Sequence, residues 1–285
     1  MRASASAASN IFWIALMLLP DLFEAGVPVF TEKPLSCSVE AGEGILAALQ
    51  RSSGRHFLGY HKRSDPASLF AREEIQRLQE SGELGAMRYV RILMPAGDFI
   101  ASGGSHCIRT DEPPPEGARD PLPADMDEAT QGDYSSFVNY YIHQVNLMRY
   151  LLGEDYRVSY ADPSGVVLAV QSDNGMAGTI EMSPYRTSID WQEEALIAFE
   201  RGYVRLELPA PLASNRPGKV TLLRDPGEGA VPETVVPQLP WIHAMRQQAL
   251  HFVRAVRGEA VPLSETEEGL KDLQVARDYI SMRRQ

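Results

Sequence analysis

Ala25-Gly26-Val27-Pro28-Val29-Phe30-Thr31-Glu32-Lys33-Pro34-Leu35-Ser36 is the stretch on which the fold turns. Gly26 is placed to stop a helix, because glycine accepts the left-handed backbone that ends one. Residues 27–31 form a short apolar run fit for a buried strand, and the run ends in the charged pair Glu32-Lys33. Upstream, apolar residues recur closely enough over 11–24 for a helix. A helix feeding a strand that ends in charged residues is a half-turn of a doubly wound α/β unit, where ligands gather at the carboxyl ends of the strands.

The alternation continues downstream. The pattern predicts a helix over 38–51 with Ser38 as its N-cap, a strand over 56–60 ending in His61-Lys62-Arg63, and a helix from Asp65-Pro66 to Ser81, stopped by Gly82. Beyond Gly85 strand-like runs dominate, at 87–94, 156–160, 165–171, 175–182, 195–199, 203–208 and 219–223, which implies a mainly antiparallel sheet. A long helix over 135–152 interrupts them, and helices over 241–257 and 265–282 close the chain. Residues 110–133, rich in proline and acids, read as a solvated loop. The fold class is therefore α/β plus α+β, with a short Rossmann-like part at 1–58 and a larger open-sheet domain at 59–285.

Composition narrows the functional classes. The 285 residues can bury a sizeable core. Lys and Arg number 27 against 38 Asp and Glu, a net charge of -11 that repels polyanions, so nucleic acid is not an expected partner. Cys37 and Cys107 lack the spacing of a zinc site or a disulfide framework, and His106-Cys107 is too little for a metal centre. The expectation is no metal and a reducing cytoplasm. The apolar run 11–19 follows Arg2 as a signal peptide's would, but its small residues precede the run and no cleavage site follows it; it is also too short to cross a bilayer.

Few residues are candidates for chemistry. Lys33, held extended by the proline after it, can present its ammonium at the strand's mouth and polarise a hydroxyl or carbonyl; a solvated lysine is the competing reading. Asn139 and His143 lie four apart in the long helix and so share a face. Imidazole titrates near working pH and suits a general base. Lys62 and Arg63 follow a strand in the crevice, either as ligand contacts or as solvated cations, and His61 is a weaker candidate. Gly42-Glu43-Gly44-Ile45-Leu46-Ala47 has the bare spacing of a dinucleotide turn but lies inside a helix, so it reads as a decoy.

Residues 25–36 resemble the signature of the glucose-fructose oxidoreductase and inositol dehydrogenase-like family. Gly59-Tyr60-His61-Lys62-Arg63-Ser64-Asp65-Pro66 is similar to the family segment ending in Arg-x-x-Pro, and Ser81-Gly82-Glu83-Leu84-Gly85-Ala86 to its turn into the sheet domain. Residues 132–143 resemble its helix bearing Asp-x-x-x-His, with departures: Asn139 stands at the acidic position and Asn146 replaces a common Asp. The resemblance implies Lys33 and His143 as catalytic residues, with Asn139, Arg63 and His61 near the substrate. Glu32, Lys33, Pro34 and Arg63 would lie near an NAD or NADP cofactor. It also implies a sugar or polyol as substrate and a homo-oligomer formed through the sheet domain.

The glycine-rich turn that would hold a cofactor's pyrophosphate, expected ahead of residue 11, is not found there. Three activities follow as expectations: hydride transfer from a sugar or polyol; a non-catalytic relative acting in dimerisation or sugar sensing; and an NAD-assisted glycoside hydrolase.

Overall fold

The computed structural model describes residues 15–101, 111, 120–227 and 229–284. Two compact units are distinguished, one made of Met1–Tyr60, Ile108–Asn146 and His251–Ser281, the other of His61–Cys107, Leu147–Leu250 and Met282–Gln285.

In the first unit α1 (Ala15–Glu24) buries Ala15, Leu19 and Phe23, one residue per turn on a single face, and ends at Gly26 with φ of +67°. Residues 11–14 of the expected helix lie outside the described residues. β1 (Pro28–Glu32) pairs in parallel with β2 (Arg55–Gly59), and α2 (Val39–Gln50) is the crossover that a parallel pair requires. Ser38 caps α2, its hydroxyl accepting from the Ala41 N–H at 3.2 Å.

The two glycines of the dinucleotide-like spacing serve packing. A methyl on Gly44 would sit 2.8 Å from Leu16, and one on Gly42 3.0 Å from Leu270, so both glycines let neighbours close onto α2. Leu270 belongs to α7 (Thr266–Arg283), which Arg277 ties to Glu40 of α2 and to Asp125 at 2.6 Å each.

The long helix α5 (Glu128–Leu152) runs from the first unit into the second. It begins two turns earlier than its apolar pattern suggests. Asp127 accepts from the Thr130 N–H at 2.8 Å, a cap that starts the helix despite Gly132. The solvated-loop expectation is thereby corrected over residues 128–133, and Asp120, also assigned to that loop, is buried and accepts from the Leu16 N–H at 2.8 Å. Residues 112–119 and the pair His106-Cys107 lie outside the described residues.

The second unit is built on an eight-stranded sheet. Its strands are β3 (Met87–Leu93), β4 (Tyr156–Ala161), β5 (Val167–Ser172), β6 (Ala177–Glu181), β7 (Glu194–Phe199), β8 (Gly202–Glu207), β9 (Lys219–Arg224) and β10 (Glu233–Val235). The order is β10-β9-β8-β7-β3-β6-β5-β4, antiparallel throughout except for β3 with β6. The sequence pattern finds all of these strands except β10, whose three residues are too few for a periodic signal.

Val90, Ile92, Leu168, Val170, Ile197, Val204 and Leu206 are buried on one face, and the alternate residues are partly exposed. That alternation is the mark of a sheet with one covered face. The helical turn α3 (His61–Ser64) leads into α4 (Pro66–Ser81), which packs on β8 and β9. Asp65 caps α4, and Gly82 closes it in the left-handed region with φ of +66°. The helix α6 (Ala244–Val256) is divided between the two units at Leu250 and His251.

His56 joins β1, β2 and α7. Its Nδ1 lies 2.8 Å from Thr266 Oγ1 and its Nε2 2.9 Å from Thr31 Oγ1, with the Phe23 ring beside it. Burial pushes its pKa down to about 4 from an ordinary 6.5. Below pH 6.5 the unfolded chain therefore binds a proton that the folded chain refuses, and stability falls as the pH drops towards 4. Urea titrations at several pH values should show a loss approaching about 3 kcal/mol over that window. His56→Asn should remove most of this slope, and an unchanged slope would contradict the assignment.

Candidate functional site

The parallel register places Glu32 opposite Gly59, so Lys33 and Tyr60 leave the two strands at the same, carboxyl end. Gly59 is needed for this closeness. A methyl there would lie 2.8 Å from Phe30 Cζ and 3.0 Å from Glu32 Oε1. Lys33 is half-buried, Pro34 follows through a cis peptide and is buried, and Glu32 is exposed. The Lys33 ammonium donates to the main-chain carbonyl of Asn139 at 2.6 Å. The structure thus brings β1 and α5 together at the positions singled out by sequence.

His143 lies one turn further along α5, 8% exposed, and its ring meets Tyr60 edge-on at 5.9 Å and 77°. Such an edge contact fixes the plane of an imidazole without charging it. Asn139 is exposed, so its amide is open to a ligand while its carbonyl holds Lys33. Tyr60 was not singled out by sequence, and its only signal there is its place immediately after the β2 glycine.

Asp272, also missed, is fully buried on α7, and its carboxylate accepts from Asn146 Nδ2 at 2.6 Å. An acid within the apolar stripe of Gly269, Leu273 and Ala276 was a legible anomaly.

In the second unit His61, Lys62 and Arg63 are 4%, 3% and 3% exposed, which corrects the solvated-cation reading. Lys62 forms an ion pair with Glu193 and lies 5.0 Å over the Trp191 ring, whose Nε1–H donates to the same carboxylate at 3.2 Å. The Arg63 guanidinium lies 4.9 Å over Tyr150, a stacking that suits its planar charge.

Asp65 accepts from the Ala67 and Gly218 N–H groups at 2.8 and 2.9 Å, and burial outweighs these bonds to raise its pKa. His61, Lys62, Asp65, Arg216 and His243 line a narrow groove in this unit. Among the described residues no three His, Cys, Asp or Glu are grouped to hold a metal ion.

The end of β1 fits the reacting end of a nicotinamide cofactor: a donor ammonium at a strand's carboxyl end, beside a glycine that permits close approach. Lys33, Glu32 and Pro34 are the residues that would face it. The glycines of α2 do not fit the pyrophosphate, because leucine side chains occupy the space in front of them.

No family model matches the chain. Its fold is similar to that of an aldose-aldose oxidoreductase from Caulobacter crescentus solved with glycerol, with TM-score 0.62 and 19% identity, covering 96% of this chain and 75% of that one. An NAD binding oxidoreductase from Klebsiella pneumoniae gives TM-score 0.67 at 15% identity, covering 95% and 76%. The WlbA dehydrogenase from Bordetella pertussis, solved with NADH and UDP-GlcNAcA, gives 0.58 at 16%, covering 94% and 74%. In sequence the chain is 24% identical over 151 residues to an uncharacterized oxidoreductase, YrbE, of Bacillus subtilis. That match spans 53% of this chain and 36% of the relative, so the chain covers little more than a third of the relative's length. The chain therefore shares its fold with a group of oxidoreductases.

The Lys62–Glu193 pair gives a direct check on this geometry. Glu193→Ala should destabilise the protein by about 3 kcal/mol in urea denaturation, because it strands a buried ammonium. The double replacement Lys62→Met with Glu193→Leu should recover most of that loss. Equal damage in both would show that packing, not charge, sets the cost.

Proposed function

We propose that the chain acts in an NAD- or NADP-linked oxidoreductase whose substrate is a sugar, a polyol or a related hydroxy compound. The observation that carries this reading is the Lys33 ammonium held 2.6 Å from the α5 backbone, one helical turn from a buried histidine whose ring meets Tyr60 edge-on. Both groups needed to handle an alcohol hydroxyl, a cation held against α5 and a base carried by it, thus meet at the same short segment of that helix. The likeness to the aldose-aldose oxidoreductase and to the dehydrogenase solved with NADH supports the substrate and cofactor classes.

Oxidation of an alcohol removes a hydride from the carbinol carbon and a proton from its oxygen. A bound nicotinamide ring supplies the acceptor for the hydride. Lys33 polarises the oxygen as negative charge develops on it, and His143 takes the proton. Tyr60 keeps the imidazole plane fixed during that transfer. Asn139 offers its side-chain amide to a substrate hydroxyl. With an amide at position 139, the imidazolium lacks a carboxylate there, and catalysis proceeds more slowly than with an acid.

A non-catalytic role in sugar sensing or dimerisation is the second reading, favoured by Asn139 and by the commitment of the α2 glycines to packing. The partly exposed face of the large sheet, where Leu93, Leu196 and Leu223 lie, supports a homo-oligomer formed through that face. The acidic net charge argues against nucleic acid as a partner. Among the described residues no helix is long and apolar enough to cross a membrane. The two cysteines, without disulfide or zinc spacing, support a reducing cytoplasm as the location.

Two measurements test these assignments. With NAD or NADP and a panel of cyclic polyols and aldoses, the protein should form reduced cofactor. His143→Ala should then lower the rate on the order of 100-fold, with Lys33→Met at least as harmful. Calorimetric sugar binding without turnover, unaffected by either substitution, would support the sensing role instead. For the oligomer, Leu196→Glu should shift the mass in light scattering from a multiple of 31.5 kDa to the monomer.

A further inference from the structure

Resting on His143 as the base, we infer that Asp272 is a positioning residue for it, fixing from α7 the segment of α5 that carries the imidazole. α7 touches α5 on either side of His143. On one side Tyr279 stacks on Phe137 with ring centroids 4.6 Å apart, and on the other the Asp272 carboxylate accepts from Asn146 at 2.6 Å. The contacts run in opposite order along the two helices, as an antiparallel pair demands. His143 lies between them, three residues from Asn146.

Asp272 and Asn146 are both fully buried, and the neighbours of Asp272 along its face are Leu273, Ala276 and Ile280. A carboxylate in such surroundings is costly where an apolar residue would pack. A buried, directional hydrogen bond returns what apolar contact cannot, a single rotation and axial register of one helix on the other.

The departure at Asn146 then has a counterpart. The sequence resemblance places a common Asp at 146 on α5, whereas this chain carries the amide there and the carboxylate across the helix pair at 272. The carboxylate is thereby carried on α7, hydrogen-bonded to the residue three positions after His143. The Tyr60 ring meets the His143 imidazole edge-on, and the Lys33 ammonium is held at Asn139, one turn away on α5. Neither is altered by exchanging residues 146 and 272.

The test uses the full chain in three forms beside the native one: Asp272→Asn, Asn146→Asp, and the exchange Asn146→Asp with Asp272→Asn. The His143 imidazole is followed by NMR for titration and tautomer, alongside melting temperature and cofactor reduction. Asp272→Asn should lower the His143 pKa by about half a unit or more, because a nearby carboxylate favours the imidazolium. The exchange should restore most of the shift and the native tautomer, while Asn146→Asp alone should melt lowest, with two carboxylates forced together. If Asp272→Asn fails to fold, Asn146→Leu with Asp272→Leu supplies a packed pair without the carboxylate, and the same downward shift is expected.

An imidazole titration identical in native, Asp272→Asn and exchanged proteins, with only the melting temperature changed, would overturn the inference and leave Asp272 as packing. A shift that the exchange reverses, with no cofactor reduction in any form, supports the positioning role and removes the oxidoreductase reading instead.

Discussion

The parallel register of β1 on β2 is the constraint on which the candidate site depends. Because Glu32 faces Gly59, the next residue of each strand emerges at the same edge, and Lys33 and Tyr60 both reach α5. One contacts the carbonyl of Asn139 and the other the ring of His143. A slip of one residue would turn every side chain to the opposite face and part both pairs. The absence of a side chain at Gly59 allows this register, since a methyl there would strike Phe30 and Glu32.

Polar groups placed inside apolar surroundings do much of the specifying. His56 spans two threonine hydroxyls, Asp272 holds Asn146, and Lys62 is neutralised by Glu193 under Trp191. Each such group is expensive to bury and directional once paired, so each admits one arrangement of its neighbours. The apolar contacts around them supply the bulk of the driving force, but they tolerate repacking in a way that these bonds do not. The chemistry proposed for Lys33 and His143 relies on that rigidity, because an ammonium and an imidazole act on the same oxygen only when both are held.

Much of the architecture was legible because it repeats with a period. The strand-rich second half, the caps at Ser38 and Asp65, the stop at Gly82 and the helical placement of Gly42 and Gly44 all follow from local rules. The early start of α5 was missed because Gly132 and an acidic approach resemble a loop, and the cap at Asp127 carries no period. β10 was missed for its shortness. The burial of His61, Lys62 and Arg63 was ambiguous in sequence, because a run of cations reads as solvated until its partners are known, and Glu193 lies 131 positions away.

The amino-acid sequence by itself determined the elements, the placement of Lys33 at the carboxyl end of a strand, and the sharing of one helix face by residues 139 and 143. These are consequences of chain periodicity and backbone restriction, which act over a few residues. Only the tertiary structure decided what each of those side chains meets. That Lys33 is held by a backbone carbonyl, that Tyr60 orients His143, and that Asp272 supplies a carboxylate beside Asn146 depend on contacts between segments far apart in the chain. Contacts of that kind are fixed by the packing of whole helices and strands, and no local pattern encodes them.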